Sequence, residues 1–209
     1  RSDGVSYFFT RYPFDDQDEI IDTAPLLLVV GESFVLTIAQ REVSFLDRML
    51  EKETVYTTQK SKLFLQLMSR LTKAFDSEIV RMRSAIHRDR VHLRRIGSRD
   101  IERLVGYENA LNEAIAAVVP TNAWLRQLAD GNYMQLFDDD VELMEDLMID
   151  NSQLVDSSKM LLKTIQNIRS ATEAILTQNL NKTIQILTVI TIILTVPTLI
   201  GSLYGMNVA

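Results

Sequence analysis

The chain has 209 residues, of which 46% are hydrophobic, 24% charged and 7% aromatic. That composition excludes an intrinsically disordered chain, a collagen and a low-complexity linker. Zero Cys removes disulfide scaffolds, thiolate metal centres and Cys nucleophiles, and two His make a His-rich metal site a poor expectation. A net charge of -6 argues against nucleic acid as a partner.

The average hides a sharp division. The last charged residue is Lys182, so all 22 basic and 28 acidic side chains precede the final 27 residues. Four segments follow from this and from the patterning: a partial α/β cytoplasmic domain over 1–56, a long helical hairpin over 57–136, a stalk helix over 137–182, and a membrane helix over 183–209. The fold class expected is an α+β or α/β N-terminal domain with an incomplete sheet, then long antiparallel helices and a very long helix entering the membrane.

In chain order, residues 5–10 are aromatic and β-branched. Residues 26–30 form an apolar run after Pro25, Gly31-Glu32-Ser33 is a turn signal, and 34–39 is again β-branched. These read as a hairpin plus another strand. A short amphipathic helix is expected over 43–51. From Thr57 the period becomes helical, with Leu63, Phe64, Leu67, Met68, Leu71 and Phe75 at steps of three and four, running to about Ile96. Gly97-Ser98 reads as a stop and a cap, and a second long helix runs from Arg99 to about Ala129. Pro120 should kink it or cut it in two. Asp130-Gly131-Asn132 ends it. A third helix begins near Asp138 and meets no Gly or Pro before Pro197. Read through to Tyr204, it extends roughly 100 Å at 1.5 Å per residue.

Residues 184–204 are 21 long and uncharged, enough to cross a bilayer, which takes about 20 residues. The alternative is a buried core helix, although such helices seldom run so far without charge. Polar residues inside the span are not scattered. Thr188, Thr191, Thr195, Thr198 and Ser202 recur at steps of 3, 4, 3 and 4, and Gly205 adds another step of 3. The same rhythm backwards meets Ile184, Asn181, Thr177, Ala174, Ser170 and Asn167. One small, polar face therefore runs through the span and beyond it. It can be helix–helix glue, or it can line a water-filled pore made by several copies, with Ile184 and Leu187 as an apolar constriction. Lys163, Arg169 and Lys182 precede the span, which places residues 1–182 in the cytoplasm.

The span ends in Tyr204-Gly205-Met206-Asn207. This resembles the Gly-Met-Asn signature of the CorA family of magnesium and cobalt transport proteins, with the aromatic residue that usually precedes it. Long charged helix, uncharged span with a Pro, then the tripeptide: the order is similar to that family over nearly the whole chain. The resemblance implies a homopentameric channel, two membrane helices per subunit with the first lining the pore, and passage of magnesium, often also cobalt or nickel. It implies that Gly205, Met206 and Asn207 form the selectivity motif at the outer mouth. Asn181, Ile184, Leu187, Thr188, Thr191, Thr195, Thr198 and Ser202 would line the pore. The chain then reads as an excerpt, truncated after the first of two membrane helices, of a protein that is multi-pass in the cell membrane.

Six acids fall within nine residues at the start of the third helix: Asp138, Asp139, Asp140, Glu142, Glu145 and Asp146. They can simply complement the helix dipole. By the resemblance, some of them would instead bind regulatory magnesium between subunits and gate the pore. The basic run from Arg81 to Arg95, with His87 and His92, reads as a solvated face, and Trp124 as a packing anchor between helices. No nucleophile–base pair, phosphate loop or paired catalytic acid stands out, so no enzyme and no cofactor beyond the transported ion are expected. Partners are divalent cations, the lipid membrane and further copies of the chain. Rival readings are a zinc-transporting relative of the same family, and a non-conducting membrane-anchored helical adaptor.

Overall fold

The computed structural model describes residues 4–14, 22–52, 55–90, 98–129 and 136–205. The expected end of the second long element near Ile96, the Gly97 stop, the Asp130-Gly131-Asn132 break, His92, Met206 and Asn207 lie outside the described residues.

Three strands form an antiparallel sheet in the order β1 (Ser6–Phe14), β2 (Asp22–Val30), β3 (Val35–Ala39). Alternation of side chains sets one face inward. Ser6, Phe8 and Tyr12 of β1 are buried and sit opposite Val30, Leu28 and Ala24 of β2. Both strands with a Pro tolerate it for the same reason. β1 is an edge strand, so Pro13 breaks no ladder on its free side. Pro25 lies in the middle strand, but β3 pairs only with residues 26–30, so at Pro25 β2 has one neighbour. At the β2–β3 turn the Gly31 N–H donates to the Phe34 carbonyl at 2.9 Å. A Cβ on Gly31 would lie 2.4 Å from the Phe34 ring, so only Gly lets the ring close over this turn.

Helix α1 (Ser44–Lys52) is followed by three long helices, α2 (Lys60–Arg90), α3 (Ser98–Ala129) and α4 (Asp138–Gly205). The inner face of the sheet rests on α2 and α3. Its anchor is a triad of rings: Phe8 lies 4.7 Å from Phe64 and 5.2 Å from Trp124, and Phe64 lies 5.8 Å from Trp124. Trp124 of α3 thus packs against β1 and α2. Thr10 and Thr121 share a hydroxyl contact at 3.2 Å, and the Thr23 hydroxyl donates to Glu113 at 2.9 Å, tying β1 and β2 to α3.

Pro120 does not cut α3, which runs unbroken through it. The missing N–H frees the Ala116 carbonyl, but Ala116 and Pro120 are both exposed, so water can take the vacant acceptor. α4 continues without a break for 68 residues, through Pro197.

The helices form an up-down-up bundle whose register is fixed by polar contacts in an otherwise apolar core. Ser61 meets Asp140 and Thr72 meets Asn151, both 79 residues apart, so α2 and α4 run parallel. The rungs are 11 residues apart, three turns of helix or about 16 Å. Asn122 to Ser152 and Glu108 to Arg169 place α3 antiparallel to α4.

Candidate functional site

α4 carries two faces of different character. Its buried residues are Asp140, Met144, Leu147, Asn151, Leu154, Val155, Ser158, Leu161, Ile165, Ile168 and Thr172. Apart from Val155, they follow a strict 3-4 rhythm, the a and d positions of a heptad. This seam packs on α2 and α3 and ends at Thr172. From Glu173 to Gly205 almost every side chain is exposed in the single chain. The span within it has a mean hydropathy of 2.2 over its best 18-residue window, with none of that window buried, by length and composition a candidate membrane crossing.

The hydroxyl stripe occupies the other side of the same helix. Thr188, Thr195 and Ser202 take heptad position c, and Thr191, Thr198 and Gly205 take f; Asn181 and Ile184 continue c and f backwards, and Leu187 lies beside them at b. These positions face away from the a/d seam. The direction that looks away from the chain's own bundle therefore becomes the polar face within the span. Thr195, Thr198 and Ser202 edge a shallow groove between Leu194 and Leu199.

Each stripe threonine commits its proton to its own helix. The hydroxyls of Thr188, Thr191, Thr195 and Thr198 donate to the carbonyls of Ile184, Leu187, Thr191 and Leu194 at 2.8, 2.8, 2.7 and 2.7 Å. With the donor used, the oxygen lone pairs are what the face offers outward. Pro197 has no N–H for the Ile193 carbonyl, one more acceptor without a backbone donor. Of the tripeptide, Gly205 closes α4, and Met206 and Asn207 lie outside the described residues.

The acidic run is not one surface. Asp138, Asp139, Glu142, Glu145 and Asp146 are exposed over the first turns of α4, but Asp140 is 1% exposed. Its Oδ2 accepts from the Ser61 hydroxyl at 2.6 Å and from the Phe137 backbone N–H at 3.2 Å. The Asp140 N–H in turn donates to the Phe137 carbonyl at 2.9 Å. Asp140 thus supplies one half of a capping box, its carboxylate returning to the Phe137 N–H, and sets the α2–α4 register. Asp139, Glu142 and Asp146 fall on c and f, the same side as the hydroxyl stripe. Among the described residues no three His, Asp or Glu groups gather closely enough within one chain to hold a metal ion.

One feature had no signal in the linear sequence. Asp76 of α2 and Asp150 of α4 line a common cleft of about 420 Å³ with Thr72, Gln153 and Ser157. These residues are brought together only by the α2–α4 register. The donor set is rich in oxygen, although Lys73 lines the same cleft.

An α+β body, a long stalk helix and, among the described residues, one apolar span with an acceptor face are the parts of a protein that meets a membrane through its stalk. The sequence model of the family described as CorA-like Mg2+ transporter protein matches residues 2–209, and the chain belongs to that family. Members of this family are transporters, not enzymes.

Solved structures agree on the fold. The complete CorA magnesium transporter from Methanocaldococcus jannaschii superposes with a TM-score of 0.87 at 20% identity, covering 100% of this chain and 67% of that one. The full-length CmaX protein gives 0.81 at 17% identity, covering 100% and 65%. The ZntB cytoplasmic domain from Vibrio parahaemolyticus gives 0.65 at 9% identity, covering 83% and 70%. No curated protein matches the chain. The small antiparallel sheet followed by helices, with a long apolar helix at the C-terminal end, is therefore the family's soluble body plus stalk.

Proposed function

We propose that this chain is the pore-lining part of a divalent-cation channel selective for magnesium, in which several copies surround an axis with their α4 helices. The observation that carries the reading is the placement of the hydroxyl stripe on the side of α4 facing away from the chain's own bundle. In a ring, each bundle sits outside and each stripe turns to the axis. Five copies, the number the family resemblance implies, would stack rings of hydroxyls at Thr188, Thr191, Thr195, Thr198 and Ser202.

The chemistry suits a hydrated ion. Magnesium dehydrates reluctantly and keeps its water shell. That shell points hydrogens outward, so a pore that passes it must offer acceptors. Back-bonded threonines do so without adding charge to the bilayer, where charge is costly. Gly205, Met206 and Asn207 are assigned to the outer mouth, where a carbonyl and an amide oxygen receive the shell. Ile184 and Leu187 form the apolar constriction. Asp139, Glu142 and Asp146, on the axial side, collect cations at the cytoplasmic end. Regulatory magnesium is read by the exposed acids Asp138, Asp139, Glu142, Glu145 and Asp146. Asp140 is spent on Ser61 and the helix cap. A second membrane helix completes each subunit, making the whole protein multi-pass with residues 1–182 in the cytoplasm.

A helix-contact role for the stripe needs no acceptor face continuing past the span, and a non-conducting adaptor needs none within it. The test is ion flux into liposomes holding the full-length protein, with magnesium, cobalt, nickel and zinc compared. Magnesium flux abolished by Asn207→Ala supports the reading. Unchanged flux in that variant removes the selectivity assignment. Zinc flux without magnesium flux favours the zinc-carrying relative. No flux of any ion from a properly assembled oligomer favours the adaptor.

A further inference from the structure

A cleft of about 270 Å³ lies between α1 and α2, on a side of α2 distinct from its sheet contact. Its rim carries Arg48 from α1 and Arg70, Lys73 and Ser77 from α2, and its floor is Phe45 and Met49. Three cations converge here in a chain whose net charge is -6. No carboxylate lines the cleft. The three α2 residues stand at steps of three and four, so they share one helix face.

The cations are not spent equally. The Arg48 Nε donates to the Ser44 carbonyl at 3.1 Å, and among the described residues its two terminal nitrogens make no hydrogen bond. Arg70 is already engaged within the protein. Among the described residues neither Arg48 nor Lys73 makes an ion pair. Lys73 also borders the Asp76–Asp150 cleft, whereas Arg48 and Arg70 line this cleft alone. The floor is buried and fixed, since Phe45 and Met49 are 7% and 2% exposed. A planar guanidinium, a mobile ammonium and a hydroxyl over an apolar floor suit an anion with several phosphoryl oxygens.

Distance selects the source of that anion. Thr72, next to Lys73, is level with Asn151 of α4. From Asn151 to the start of the uncharged segment at residue 183 the helix rises about 48 Å. Phospholipid headgroups are out of reach, and the ligand must come from solution.

We propose that the α1–α2 cleft is a binding site for a soluble polyphosphate chain, inorganic or nucleotide-borne, with Arg48 and Lys73 as its principal contacts. The site couples to the stalk by position. Lys73 follows Thr72, whose hydroxyl donates to Asn151 of α4 at 2.8 Å.

The probe is sodium tripolyphosphate, titrated by calorimetry into the full chain in detergent with divalent ions absent. Saturable binding is expected, weakened roughly tenfold by Arg48→Ala and by Lys73→Gln, as expected for loss of a charge-assisted contact. Arg126→Ala, on exposed α3 surface, leaves it unchanged. Circular dichroism of each variant separates loss of a contact from loss of fold; Arg48 and Lys73 are exposed, so both variants retain the fold. Adenosine triphosphate competes with tripolyphosphate, and vesicles bearing an anionic phospholipid do not. No saturable binding, or equal binding by wild type and the Arg48→Ala/Lys73→Gln double variant, overturns the proposal. Displacement by the vesicles overturns the soluble source.

Discussion

Asp140→Ala is the sharpest perturbation available in the soluble body. One carboxylate oxygen serves two donors, the Ser61 hydroxyl at 2.6 Å and the Phe137 N–H at 3.2 Å. A hydrogen bond to a charged group contributes about 1.5–3 kcal/mol. Loss of a helix cap costs about 0.5–2 kcal/mol. Ser61 is itself only 2% exposed, so its hydroxyl would be left buried without this acceptor, at about 1–3 kcal/mol. These contributions share atoms and do not add in full, so the expected loss is about 3 kcal/mol. For a domain near 200 residues that lowers Tm by about 6–12 °C. Asp140→Asn keeps an acceptor and should cost about 1 kcal/mol. Asp139→Ala, one residue away but exposed, should stay within about 0.5 kcal/mol of wild type. Thermal unfolding followed by far-ultraviolet circular dichroism measures all three. A double-mutant cycle with Ser61→Ala should return a coupling of about 1 kcal/mol or more. If Asp140→Ala and Asp139→Ala melt together, the structural role given to Asp140 is wrong, and it rejoins its neighbours as a candidate cation ligand.

Further expectations follow from the packing and the stripe. Phe64→Ala empties the centre of the Phe8–Phe64–Trp124 triad and should cost about 3–5 kcal/mol in denaturant unfolding; the fluorescence of Trp124, the one tryptophan, should shift red in the folded variant. Asn151 has a buried Nδ2 with no partner while its Oδ1 accepts from Thr72. Thr72→Val alone should therefore destabilise by about 1–3 kcal/mol, whereas Thr72→Val with Asn151→Leu should return close to wild type; a double variant worse than the single would refute this account. Thr195→Val removes the outward acceptor but keeps the shape, so flux in liposomes should fall about tenfold or more with the oligomer intact; unchanged flux would separate the stripe from conduction. Glu108→Gln should alter Tm little, because its partner Arg169 is 44% exposed at the side chain and exposed pairs contribute about 0–1 kcal/mol.

Much of the architecture is legible in the sequence because helices this long repeat their signal many times. The 3-4 recurrence from Leu63 to Phe75 and the absence of breakers from Asp138 to Val196 mark α2 and α4. The strands are harder at their ends. The strands expected over 5–10 and from 26, after Pro25, extend to Phe14 and back to Asp22, through Pro13 and Pro25, because each Pro stands where its strand has only one neighbour. Pro120 reads as a break, and solvent at Ala116 removes the reason for one. The site divides the same way. The stripe is visible because it is periodic along one element. Asp140 cannot be told from Asp138 or Asp139 by sequence, since its difference lies in Ser61, 79 positions away. The Asp76–Asp150 cleft and the Arg48–Lys73 cleft are likewise products of register between elements.

The end of the buried seam at Thr172 makes α4 a lever. Below that residue the helix is clamped by two others; above it about 33 residues, roughly 50 Å, extend past the packing of α2 and α3. A tilt of about 5° at the clamp would carry the Gly205 end sideways by about 4 Å if the rod stays straight. Small adjustments where α2 grips α4, at Ser61 and Thr72, are therefore magnified at the far end of the span. The length of the stalk converts angular changes of a packed bundle into displacements on the scale of a water molecule's diameter.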